Sequence, residues 1–214
     1  MASRTISNTT STKASTLLRS TTLALAIAGS LIQASAFAQA ARTPAAPATA
    51  PAKGEKVSLL AGKLSFSLPS GFVGNKLPPG SATDGAAGAT GTIYVNQALQ
   101  QVVLNTEAPV PGGTRVQDND AKFLDGATTS FVEQQRAALP DYQRLGEKSM
   151  TIKGVGLRQL DAIGTFGGTP TRSTMLVAGS GNTMALIRIM SKADDAASHN
   201  VLVSTVIDNI KSGR

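Results

Sequence analysis

Four runs that favour extended chain follow one another through the second half of the sequence: Gln143 to Ile152, Leu157 to Phe166, Thr171 to Ala178 and Thr183 to Ser191. Each has the residue types and length of a strand, and only a few residues separate it from the next. Gly167-Gly168 and Gly179-Ser180-Gly181-Asn182 supply turn signals between neighbours. A parallel pair of strands needs a long crossover, so this spacing predicts an antiparallel meander.

The first half is less regular. In "VSLLAGKLSFSLPSGF", Val57 to Leu60 and Lys63 to Leu68 read as two strands of a hairpin turned at Ala61-Gly62. Leu64, Phe66 and Leu68 alternate with polar residues, and Pro69 ends the run because it cannot donate to a ladder. Val73 to Gly91, rich in Gly, Ala and Pro, reads as a loop. Thr92 to Asn96 and Gln101 to Thr106 read as two further strands. Asp118 or Asp120 then caps a helix whose stripe is Phe123, Leu124, Ala127, Phe131, Gln135 and Ala138, stopped by Pro140. Asp194 or Asp195 caps a last helix with His199, Leu202, Val203, Val206 and Ile210 on one face. The order strands, helix, strands, helix predicts an α+β fold with at least one sheet face covered, and leaves open whether both are.

The N-terminal segment is of another kind. Arg4, Lys13 and Arg19 precede an apolar stretch, Ser20 to Ile32, and then the small-residue sites Ala36-Phe37-Ala38 and Ala38-Gln39-Ala40. That pattern predicts a secretory signal peptide over residues 1–40. Residues 41–56 begin with "ARTPAAPATAPAK" and read as an Ala/Pro-rich linker, and residues 57–212 as the folded domain. The formal net charge of +7 falls to +4 without the leader's three basic residues, a density too low for a polyanion binder. Aromatic residues make up 4% and Trp is absent, so there is no stacking platform for single-stranded nucleic acid. The chain has no cysteine, hence no disulfide and no thiol to carry a lipid. The location expected is the periplasm, reached through the inner membrane, with an uncleaved leader as the alternative anchor.

Chemistry-bearing motifs are sparse. With one histidine and no cysteine, a His/Cys zinc site is ruled out. "DND" at Asp118 to Asp120 puts Lys122 and Phe123 where a calcium loop needs an oxygen ligand and Gly, so it reads as a capping turn. There is no G-x-S-x-G elbow for a triad on His199, which reads as a packing residue. Gly154-Val155-Gly156 lacks the third glycine of a dinucleotide cradle. Asp161, near Arg158 on one strand, reads as a solvent-facing ion pair. Glu133, Gln134 and Arg136 form a polar helix face.

"VSLLAGKLSFSLPSGF", "EQQR", "LRQLDAI" and "KADDAASHNVLVSTVIDNI" occur in an order that resembles the DcrB-like family of bacterial envelope proteins. The resemblance runs from Val57 to Ile210 and implies a Mog1/PsbP-like fold, an antiparallel sheet flanked by helices on both faces. It implies a non-enzymatic accessory role in the cell envelope, with no cofactor, no metal and no catalytic residue. In that family the role touches envelope integrity and phage adsorption or entry. The family's lipid anchor does not carry over, because the cysteine it needs is missing here. The expected partner is an envelope protein or membrane surface, met through Gln134, Arg136, Arg158, Gln159 and Asp161. Two alternatives stand beside this reading: a hydrolase that joins His199 to Asp161, and a small-ligand binder with residues 73–91 as a lid.

Overall fold

The computed structural model describes residues 54–81 and 86–213. The expected signal peptide and residues 41–53 of the linker lie outside the described residues, as do residues 82–85 of the expected loop.

The described residues form nine strands and two α-helices: β1 (Lys56–Leu59), β2 (Leu64–Ser67), β3 (Val73–Lys76), β4 (Thr90–Asn96), β5 (Gln101–Pro109), α1 (Ala121–Ala138), β6 (Gln143–Ile152), β7 (Val155–Phe166), β8 (Thr169–Ser180), β9 (Thr183–Lys192) and α2 (Ala196–Ser212). Strands β3 to β9 form one seven-stranded sheet in the order β3-β4-β5-β9-β8-β7-β6, and every neighbouring pair is antiparallel. The meander expected from the second half is therefore present, with β8 and β9 longer than the apolar runs because ladder bonds continue past them. Gly167 and Gly168 both take positive φ (56° and 81°), as a mirror-image two-residue hairpin turn requires.

Strand alternation sorts the core into two. Leu176 and Ala178 of β8 pack with Leu202, Val206 and Ile210 of α2. Met175 and Val177, one residue out of phase, pack with Leu124, Ala127 and Val132 of α1. One helix thus lies against each face. A full helical layer on both faces is not formed, because α2 shares its face with the β1–β2 hairpin. Asp120 caps α1 through the Phe123 N–H and Asp195 caps α2 through the Ser198 N–H. The predicted stripe of α2 is buried throughout, whereas on α1 Val132 and Thr128 are buried and Ala138 is exposed. Arg188 fastens α1 to the sheet. Its guanidinium lies 4.5 Å from the Phe166 ring centre and 5.5 Å from that of Phe131, and it donates to Gln135 Oε1 at 3.1 Å.

Two expectations change. Val73 to Gly91 is not all loop, since Val73–Lys76 pairs with β4 as the sheet edge. The first hairpin turns at Leu60–Gly62, one residue earlier than expected, and stands apart as a two-stranded sheet. Leu60 (φ 52°) and Ala61 (φ 54°) occupy the left-handed region, an uncommon place for a residue other than glycine. Burial of Leu60 (3% exposed) and a 2.6 Å bond from its N–H to Glu107 Oε1 hold it there.

Candidate functional site

An open groove of about 520 Å³ lies between the hairpin and the β3–β4–β5 end of the sheet. Its floor is Thr90, Thr92 and Tyr94 of β4 with Asn105 and Glu107 of β5. Alternation places these side chains on the α2 face of the sheet, the face that also carries Val103. One wall is β1, whose four consecutive residues Lys56 to Leu59 all line the groove. The other is Lys76, Leu77 and Pro79. Gly91, on the other face of β4, leaves no room for a side chain, because a Cβ there would meet the Asn105 carbonyl oxygen at 2.9 Å, Thr106 Cγ2 at 3.0 Å and Leu77 Cδ1 at 3.1 Å.

Four polar contacts position the hairpin wall. The Leu60 N–H binds Glu107, Lys63 Nζ pairs with Asp118 at 2.7 Å and donates to Ser180 Oγ at 2.8 Å, and Asn209 Nδ2 donates to the Ser67 carbonyl at 2.7 Å. Asp118 is thus a strap between hairpin and sheet, and the helix cap falls to Asp120.

The chemistry of the groove centres on Asn105. It is 3% exposed, and neither its Nδ2 nor its Oδ1 has a hydrogen-bond partner among the described residues. A buried unpaired amide costs about 1–3 kcal/mol, a penalty that folds ordinarily avoid. Tyr94 beside it is raised above the usual phenol range, chiefly by burial and then by the Glu55 charge, while the Thr92 hydroxyl opposes the shift. Lys56 and Lys76 stand exposed at the rim with no ion pair among the described residues. Asn105→Leu keeps the volume and removes both orphaned atoms. The expected result is an unfolding free energy raised by about 1–3 kcal/mol in denaturant titration. A loss of stability of that size would make Asn105 a structural residue.

The five residues expected to form one contact surface are not brought together. Arg158 faces α1 and binds Asp125 at 2.8 Å, not Asp161 as the sequence suggested. Gln159 and Asp161 lie on the opposite face, with Gln159 Nε2 donating to both Asp161 oxygens at 3.1 and 2.9 Å. Gln134 is half-buried and Arg136 exposed near the end of α1. Positions 158 and 161 differ by an odd number, so a strand turns them to opposite faces.

Asp161 and His199 belong instead to one buried chain. The Thr174 hydroxyl donates to Asp161 Oδ1 at 2.6 Å and so accepts from His199 Nε2 at 2.9 Å. His199 Nδ1 then accepts from Ser191 Oγ at 3.0 Å. The histidine is 2% exposed, and burial, seconded by the Arg172 charge, lowers its pKa to about 4. A neutral imidazole with both nitrogens engaged inside the core ties α2 to β7, β8 and β9. The imidazole lies outside the groove, and none of Asp161, Thr174, Ser191 and His199 lines it. Among the described residues no cluster could hold a metal ion, and no helix is long and apolar enough to cross a membrane.

No family model matches the chain. It is 27% identical over 159 residues to the inner membrane lipoprotein DcrB of Shigella flexneri, a match covering 74% of this chain and 78% of that protein. The likeness carried by the ordered sequence segments is thus shown. The solution structure of cyanobacterial PsbP from Synechocystis sp. PCC 6803 superposes with a TM-score of 0.54 at 12% identity, over 79% of this chain and 97% of the other. That likeness shows the fold. LpqN of Mycobacterium tuberculosis, described as involved in cell envelope biogenesis, superposes with a TM-score of 0.43 at 14% identity over 74% of this chain and 82% of its own.

Proposed function

We propose that this DcrB-like chain is an accessory protein of the bacterial cell envelope that reaches the periplasm by its leader and acts by binding, not by catalysis. The observation that carries the binding role is Asn105, a buried carboxamide left unpaired on the floor of an open groove. A ligand that paired this carboxamide would offset the cost of burying it. The only histidine in the chain is committed to a core hydrogen-bond chain, which argues against its use as an acid or base. The envelope setting is supported by the DcrB likeness and by the secretory pattern of residues 1–40.

The test is complementation in a strain that lacks the gene, read as resistance to detergent and to large antibiotics. The full chain is expected to restore the barrier. The chain without residues 1–40, produced at equal level, is expected not to, and Asn105→Leu is expected to be secreted and stable yet fail. Full rescue by the leaderless chain would remove the envelope reading. Full rescue by Asn105→Leu would remove the groove from it.

A further inference from the structure

We propose that the groove binds an extended peptide segment bearing a carboxylate, which adds as a strand to the open edge of β1 while Asn105 takes one of its main-chain amides. This deepens the binding role proposed above and rests on it.

The backbone of β1 carries the first part of the argument. In an antiparallel pair the N–H and C=O of one residue point the same way, and the direction alternates along the strand. The Glu55 carbonyl accepts from the Leu68 N–H, which directs Glu55, Val57 and Leu59 toward β2. Lys56 and Ser58 therefore direct their main-chain groups away from β2. The Leu60 N–H, in phase with them, is the one that reaches across to Glu107. Among the described residues β1 has no second strand neighbour, so the Lys56 and Ser58 groups form an open edge along one wall of the groove. Such an edge is a template for strand addition.

Asn105 supplies the second part. Its side chain offers an unpaired NH2 and an unpaired carbonyl oxygen, which complement the C=O and N–H of a peptide amide. A glycan could satisfy the carboxamide through hydroxyls, but it would leave the strand edge unpaired. A peptide satisfies both.

Charge sets the third part. The lining holds two ammonium groups, Lys56 and Lys76, and one carboxylate, Glu107, whose Oε1 is already bonded to Leu60. Glu55, whose charge reaches Tyr94, stands next to Lys56 in the chain, so the cation without an adjacent acid is Lys76 on the other wall, and it favours an acidic side chain or a chain-terminal carboxylate. With β1 only four residues long, the added strand spans about the same number of residues.

The experiment uses isotope-labelled protein purified from the envelope of cells expressing the full chain. Three probes are compared: a heptapeptide of alternating valine and aspartate, its counterpart with lysine for aspartate, and maltotriose. The acidic peptide is expected to move the amide resonances of Lys56 and Ser58 and the side-chain amide of Asn105, and to bind about tenfold tighter than the lysine peptide. Asn105→Leu and Ser58→Pro are each expected to weaken it about tenfold. The proline removes an N–H that faces the groove, so the β1–β2 ladder is kept, and melting curves confirm that each variant folds. Lys76→Glu is expected to abolish or invert the preference between the two peptides. Equal binding of both peptides, unchanged binding in both folded variants, or maltotriose alone moving these resonances overturns the proposal. So does a dimer that occupies the β1 edge without added peptide. Any of these leaves the accessory role to be judged by complementation.

Discussion

Replacing Phe66 with alanine is expected to lower the unfolding free energy by about 3–5 kcal/mol. Phe66 is fully buried and faces Val57 across the hairpin. It packs in the same apolar cluster as Leu202, Val206 and Ile210 of α2. Its importance follows from topology. The β1–β2 pair shares no ladder with the seven-stranded sheet, so no run of backbone bonds carries it. What seats it is apolar contact together with the bonds at Leu60, Lys63 and Ser67. The truncation therefore removes transfer energy, leaves a cavity at the seat, and loosens one wall of the groove. Urea titration measures the global loss, and amide exchange at Val57 and Phe66 is expected to accelerate more than exchange within β8. Val73→Ala, at a side chain 63% exposed on β3, is the control and should stay within about 0.5 kcal/mol. A loss below about 1 kcal/mol for Phe66→Ala would mean that the polar bonds alone hold the hairpin.

The meander and both helix caps were legible because each is written locally: glycine turns a few residues apart, an aspartate before an apolar period. β3 was not legible. "VGNK" has no apolar alternation, since an edge strand that buries little is stabilised by its ladder to β4. The groove was out of reach for a different reason. Lys56, Lys76, Thr92 and Asn105 are brought together by the order of strands in space, and nothing local in the sequence encodes it. One signal could have found its centre. In "QVVLNTEAP", Gln101, Val103, Asn105 and Glu107 share a face, so Asn105 is a polar residue two places from a core valine. The expected contact surface failed on the same count, because Arg158 and Asp161 were judged by nearness in sequence, whereas strand parity separates them.

Between pH 6.5 and about 4 the fold is expected to lose about 3 kcal/mol through one side chain, His199. The imidazole titrates near its ordinary value of 6.5 when the chain is unfolded and only at about 4 in the fold. Burial is the main cause and the Arg172 charge the second, with Asp161 and Asp195 pulling the other way. Above pH 6.5 neither state carries the proton, and the term vanishes. As pH falls below 6.5 the unfolded state binds a proton that the native state refuses, so stability declines until the native imidazole is itself protonated near pH 4. Asp118, held below the usual carboxyl range first by Lys63, and Asp141, first by Thr165, add to the decline only below about pH 5, where the unfolded carboxyls begin to bind protons, so the slope between pH 6.5 and 5 belongs to the imidazole. Urea titrations at half-unit steps measure the decline. His199→Gln is expected to lower stability at pH 7, because its amide cannot reproduce both bonds to Thr174 and Ser191, yet to flatten the dependence between pH 6.5 and 5. Ring resonances of His199 that titrate near 6.5 in the folded protein, or an unchanged slope in the Gln variant, would show that the imidazole is open to solvent and that the Asp161–Thr174–His199–Ser191 chain does not hold α2 to the sheet.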